Sequence, residues 1–201
     1  MNVGCFEKVS FDQFLGAMKD VCCFQSNTDE AETDFRNLMQ TCYDELALPT
    51  RATAGSAGYD FDAPFDFEIE PGQSIKIPTG VRVRMQDGWF LAIVPRSGLG
   101  FKYKLRLANT VGIIDQDYYY SDNEGHIFVK LCNEGDKTVS IKSGSGIVQG
   151  IFLQYGLCDY DDVTSIRNGG FGSTDKLNCR KFCPKTNSDS PETNSRLPSR
   201  A

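Results

Sequence analysis

Between residues 46 and 160 the apolar side chains recur at every second position, and this period constrains the fold more than any other feature of the chain. In "FEIEPGQSIKIPTGVRVRM", Ile69, Ile75, Ile77, Val81, Val83 and Met85 fall at two-residue steps within their segments. In "DKTVSIKSGSGIVQGIFLQYG", Val139, Ile141, Ile147, Ile151 and Leu153 repeat the pattern. Side chains alternate across a β-strand, so one face of each segment is apolar and the other polar. Turn signals punctuate the series at Pro71-Gly72, Pro78-Thr79-Gly80, Asp87-Gly88, Asn133-Glu134-Gly135 and Ser143-Gly144. Many short alternating strands with frequent turns indicate an all-β sandwich, jelly roll or barrel. No strand–helix–strand rhythm points to a parallel sheet.

The flanks differ. Residues 1–45 read as a helical extension. Phe11, Phe14, Leu15, Met18 and Cys22 recur at three- and four-residue steps behind Ser10, a candidate N-cap. A second segment begins with Thr28 and an acidic first turn, then places Phe35, Leu38, Met39 and Cys42 on one face. Packing on the main body and a separate partner-binding arm are both open to these helices. Residues 161–175 are rich in glycine, and residues 176–201 are polar enough to be expected as a disordered tail.

With 201 residues, 40% hydrophobic and 24% charged, the chain can bury one ordinary core. A net charge of −6 argues against general nucleic-acid binding, which needs a basic face. No apolar run reaches the ~18–20 residues of a bilayer span, and "MNVGCFEKVSFDQ" lacks the layout of a secretory signal. Eight cysteines and the single His126 match no metal template, so the cysteines read as reduced thiols of a cytoplasmic protein.

Several stretches carry candidate chemistry. In "NTVGIIDQDYYYSDNEG", Asp115 directly follows Ile113 and Ile114, a costly place for a carboxylate unless something compensates it. "AGSAGYDF" presents Asp60 after small residues, either as a ligand-facing loop or as a plain turn. "VPRSGLG" ends an apolar strand with Arg96, Ser97 and Gly98, a guanidinium, a hydroxyl and backbone N–H groups suited to phosphate, or a simple strand exit. Gln149 interrupts an apolar run and faces either a ligand or solvent. "RNGGFGST" combines Arg167, Phe171, Gly172, Ser173 and Thr174: phosphate donors, a flat ring and glycine hinges, or a mobile tail.

Taken in order, "AGYDF", "PRSGLG", "GIIDQDY", "GIVQGI" and "RNGGFGST" resemble the five motifs of the trimeric deoxyuridine triphosphatase (dUTPase) family, over about residues 46–174. The resemblance implies a dUTPase-like β-jelly-roll (β-clip) core. It also implies Mg²⁺-assisted hydrolysis of dUTP to dUMP and pyrophosphate, which limits dUTP and supplies dUMP for thymidylate synthesis. It implies a homotrimer with sites shared between subunits, and leaves room for a protein partner of the N-terminal helices.

By the same resemblance Asp115 is the carboxylate that activates the attacking water, and Tyr118 packs against the deoxyribose. Asn109 and the backbone at Gly112 read uracil, and Asp60 meets the metal indirectly, through water. Arg96, Ser97, Gly98 and Gln149 contact phosphate. Arg167, Phe171, Gly172, Ser173 and Thr174 form the C-terminal lid of residues 161–175, with Phe171 over the base. Asp117 is expected to be structural.

Three departures stand out. About five residues, Tyr119 to Asn123, are inserted beside the site, where they would alter subunit contacts or nucleotide closure. Gly146 stands where many relatives place Arg, and Asp175 replaces a usual glycine. The fold-sharing dCTP deaminases need a glutamate where this chain has Lys130, which has no acceptor when charged. A regulatory binding module is the remaining rival, disfavoured by the intact Asp115 and Arg167.

Overall fold

The computed structural model describes residues 2–164. Along the chain run β1 (Gly4–Lys8), α1 (Phe11–Cys22), α2 (Asp29–Glu45), β2 (Tyr59–Asp62), β3 (Phe67–Ile69), β4 (Ser74–Pro78), β5 (Val81–Met85) and β6 (Trp89–Pro95). The short α3 (Ser97–Tyr103), β7 (Leu105–Leu107), β8 (Gly112–Ile114), a 3₁₀ helix (Gln116–Tyr120), β9 (Phe128–Asn133), β10 (Val139–Ile141) and β11 (Gly146–Gln154) follow. The strands pair antiparallel throughout, as β2-β11-β6-β8, β4-β9-β7, β1-β5 and β10-β3. The all-β core with a helical extension is thus the architecture of the chain.

The period-two reading finds its cause in burial. Ile69, Ile77, Val81, Val83, Met85, Val139, Ile141 and Ile147 point into one core, with Leu91, Ile93 and Leu131. Ile151 and Leu153, expected on the same face as Ile147, lie instead on the outer face of their sheet, because the register shifts between Gly146 and Val148. Phe14, Leu15 and Met18 of α1 and Phe35 and Met39 of α2 join that same core. Burying each such side chain stabilises the fold by about 1.5–3 kcal/mol, so the helices are packed on the body and are not a detached arm. Ser10 Oγ accepts from the Gln13 N–H at 3.1 Å and Thr28 Oγ1 from the Ala31 N–H at 3.2 Å, closing both helix starts. Leu38, expected on the inner face of α2, is instead exposed.

The sequence reading of residues 1–45 as helical needs one correction. Gly4–Lys8 is a strand, paired with β5 from Gly4 opposite Met85 to Lys8 opposite Val81. Five residues are too few to show a period, and the partner that fixes them is remote in sequence. The cysteine reading needs another: Cys5, Cys42, Cys132 and Cys158 are free thiols, but Cys23 is disulfide-bonded. The expectations for 176–201 and for Asp175 fall outside the described residues.

His126 is fully buried between the helices and the sheet, its ring 6.5 Å from Phe14 and 4.4 Å from Phe128. The Gly80 N–H donates to His126 Nε2 at 2.8 Å, so the neutral ring carries its proton on Nδ1, which has no partner among the described residues. Burial, and then the charge of Lys76, push its pKa down to about 3 from an ordinary 6.5. The unfolded chain therefore takes up a proton that the folded chain refuses. This contribution to stability is complete above the unfolded pKa and is lost as pH falls from 6.5 toward 3. Urea melts at pH 7 and pH 5 should show the wild type losing about 2 kcal/mol more than His126→Gln, which does not titrate. Equal losses would show that this histidine does not set the acid sensitivity.

Candidate functional site

Strand β11 lies between β2 and β6, with Gln149 opposite Asp60 on one side and Val94 on the other. Directly paired residues of antiparallel strands share a face, so Asp60 and Gln149 stand together. Because β6 ends at Pro95, Arg96 emerges beside them, and its Nε lies 3.3 Å from Asp60 Oδ1. Gln149 Nε2 donates to the Pro95 carbonyl at 3.2 Å. A Cβ at Gly58 would fall 2.3 Å from Gln149 Oε1, so this position of the amide requires the glycine. Ser97 and Gly98 open α3 directly after Arg96, where the first N–H groups of a helix have no partner within it. Asp60, Arg96 and Gln149 thus stand together at one end of the sheet.

Gly146 belongs to the same cluster. A Cβ there would lie 1.9 Å from Arg96 Nη1 and 2.8 Å from Cζ, so the guanidinium rests over the bare glycine backbone. The space beside Gly146 is filled by Arg96. Asp62, next on β2, has its carboxyl raised above the usual range by burial, then by the Asp60 charge, with Arg96 opposing. The Asp60–Arg96 pair is partly exposed and so contributes only about 0–1 kcal/mol, weak enough for an incoming anion to displace.

Asp115 lies at the other end of the sheet. Strand β8 pairs with β6 through Ile114 opposite Leu91, so Asp115 leaves the sheet near Phe90. It holds the N-cap place of the 3₁₀ helix and faces an open cleft of about 650 Å³ lined by Phe90, Ile113, Asp115, Gln116, Asp117 and Tyr155. Asn109 is exposed in the turn before β8. Gly112 is buried, where a Cβ would come 3.2 Å from that of Ile93. From Phe90 to Arg96 is six residues of extended chain, about 20 Å. One chain therefore assembles Asp60, Arg96, Ser97, Gly98 and Gln149, and separately presents Asp115, without joining the two.

Tyr118, read as the sugar-facing ring, is 2% exposed; its hydroxyl donates to the His126 carbonyl at 2.7 Å and accepts from Asn123 Nδ2 at 2.7 Å. Within this chain it anchors the segment behind Asp115 and leaves no open face for a sugar. Arg167, Phe171, Gly172, Ser173 and Thr174 lie outside the described residues. The sequence reading missed Phe90 and Tyr155 in the cleft wall; their rings are 6.4 Å apart, brought together by the β6–β11 pairing.

The dUTPase family model matches residues 44–175, a span containing both groups of residues. The chain belongs to the dUTPase family. The deoxyuridine 5'-triphosphate nucleotidohydrolase of Lactococcus lactis is 43% identical over 132 residues, covering 64% of this chain and 88% of the relative. That of Desulfitobacterium hafniense is 44% identical over 135 residues, covering 63% and 86%. Among solved structures, the dUTPase of Streptococcus mutans superposes with a TM-score of 0.54 at 44% identity, over 58% of this chain and 91% of that one. The dUTPase of phage phi11 of S. aureus, at 20% identity and a TM-score of 0.50 over 59% and 90% of the two chains, shares the fold. Family membership thus explains why motifs far apart in this dUTPase chain recur in order. The N-terminal 43 residues lie outside the matched span.

Proposed function

We infer that the chain is a dUTP diphosphatase, converting dUTP and water to dUMP and pyrophosphate. The observation that carries the reading is the placement of an anion-competent group, Asp60, Arg96 and Gln149, and an acceptor carboxylate, Asp115, at opposite ends of one sheet within a dUTPase chain. In this reading Asp115 takes the proton of a water molecule as it attacks, the bond between the α and β phosphates breaks, and pyrophosphate leaves. Arg96, Ser97, Gly98 and Gln149 hold the phosphates. The hairpin at Asn109 and Gly112 reads the uracil edge, and Arg167, Phe171, Gly172, Ser173 and Thr174 close over the nucleotide.

Among the described residues no group of three or more His, Cys, Asp or Glu side chains could hold a metal ion alone. Mg²⁺ favours one or two carboxylates plus substrate phosphates and keeps several waters, and Asp60 beside the phosphate-binding Arg96 fits that habit. When bound, the ion would neutralise phosphate charge, with Asp60 holding it through water. A phage phi11 dUTPase structure contains a structural Mg(II) ion.

The same geometry supports a homotrimer. Ile113 pairs with Ala92, Ile151 with Ala92 and Leu153 with Phe90, so these residues share the outer face of the four-stranded sheet. Ile113 is 51% and Leu153 44% exposed. A second copy covering this apolar face brings its own phosphate group toward Asp115, and closure by rotation gives a ring.

Incubation with dUTP, dTTP, dCTP or UTP and Mg²⁺, following pyrophosphate and ammonia, tests the reading. A backbone that reads uracil leaves two or more groups unpaired against cytosine, at about 1–3 kcal/mol each. Pyrophosphate from dUTP is therefore expected about 100-fold or more above that from dCTP. Ammonia from dCTP would indicate a deaminase, and nucleotide binding with no pyrophosphate would indicate a binding module.

A further inference from the structure

The N-terminal extension, outside the family match, and residues Tyr119 to Asn123, which the sequence reads as an insertion, are joined. Pairing of β1 with β5 sets Glu7 opposite Arg82 and carries Ser10 to the far end of the insertion. Glu7 Oε2 accepts from the Tyr119 hydroxyl at 2.7 Å and from Arg82 Nη2 at 3.0 Å. The Arg82 guanidinium lies over the Tyr119 ring, 4.6 Å from its centre, and Arg84 Nε is 3.7 Å from the second Glu7 oxygen. Ser10 donates to the Glu124 carboxylate twice, from its N–H at 2.7 Å and its Oγ at 2.6 Å.

These attachments bracket a closely packed segment. Gly125, at φ +68°, backs onto Tyr119, whose Cα lies 2.7 Å from where a Cβ would stand. Tyr118 and Asn123 are tied together inside the bracket. Asp115 directly precedes the 3₁₀ helix that contains Tyr119, four residues away and about 8 Å along an axis rising ~2.0 Å per residue. A short helix passes a displacement at one end directly to the other.

We propose that Glu7 and Tyr119 are positioning residues for Asp115: β1 clamps the inserted segment and thereby fixes where the carboxylate points into its cleft. The insertion then compensates for its own length. A longer turn beside the site would leave Asp115 on a loose segment, and the N-terminal strand supplies the missing restraint. This inference rests on the reading of Asp115 as the proton acceptor.

Full-length Tyr119→Phe, Glu7→Gln, Glu7→Ala and Asp115→Asn are to be compared in steady-state dUTP hydrolysis, well below their melting temperatures. Tyr119→Phe removes only the hydroxyl and keeps the ring on Arg82, so the fold is expected to persist. Its kcat should fall about fivefold to tenfold with KM within about twofold, because misplacement of a reacting group acts on the chemical step. Glu7→Gln keeps an acceptor for the hydroxyl and should recover most of what Glu7→Ala loses. Added to Tyr119→Phe, Glu7→Ala should lower kcat little further, as coupled residues do. A Tyr119→Phe enzyme with wild-type kcat, or with only KM altered, overturns the proposal, even where Glu7→Ala fails to fold. An inert Asp115→Asn beside an unimpaired Tyr119→Phe overturns this inference alone, whereas an active Asp115→Asn overturns the reading beneath it.

Discussion

Asp115→Asn is expected to lose turnover by about 10²–10⁴-fold while binding dUTP within about tenfold of the wild type. The amide nearly matches the carboxylate in volume, so the cleft beside Phe90, Ile113 and Tyr155 keeps its shape. What changes is the capacity to take a proton from water, since an amide oxygen is a far weaker base. Asp117 lines the same cleft, which makes it the natural substitute should Asp115 not be the acceptor. Single-turnover hydrolysis and equilibrium nucleotide binding for both asparagine variants separate the two. Loss in Asp115→Asn alone assigns the base, and loss in Asp117→Asn alone transfers the role.

The strands were legible because burial on one face imposes an alternation that local sequence records: Ile77, Val81 and Val83 are all core residues, as their spacing implies. Both helix starts were legible through Ser10 and Thr28, whose side chains make the capping bonds their types favour. Strand β1 was not, since its conformation depends on β5, some 75 residues away. The burial of Tyr118 was hidden for a related reason. Three successive tyrosines have no period, and only the fold puts one hydroxyl on the His126 carbonyl while its neighbour reaches Glu7. Motif order likewise named Asp60, Arg96, Gln149 and Asp115 but carried no distances. That Asp115 lies a full strand's length from the others follows from the register of β6 with β8 and β11.

That separation leads to the second large effect. Arg96→Ala alone should be badly impaired, because it removes the guanidinium that pairs with Asp60 and that we propose holds phosphate. Asp115→Asn alone should be inert. Mixed and allowed to exchange subunits, the two inactive proteins should regain activity. If Asp115 and Arg96 of one site come from different chains, some sites receive the intact Asp115 of one variant and the intact Arg96 of the other. With equal amounts and random assembly, about a quarter of the sites are intact in both, so activity should reach about a quarter of the wild type. The measurement is dUTP hydrolysis after co-refolding, with each variant refolded alone as the baseline. If both groups instead served a site within one chain, every site would keep its lesion and the mixture would stay at the baseline. No local rearrangement of a side chain bridges about 20 Å of strand. Recovery therefore requires a neighbour's residues, and its absence would remove the shared-site trimer.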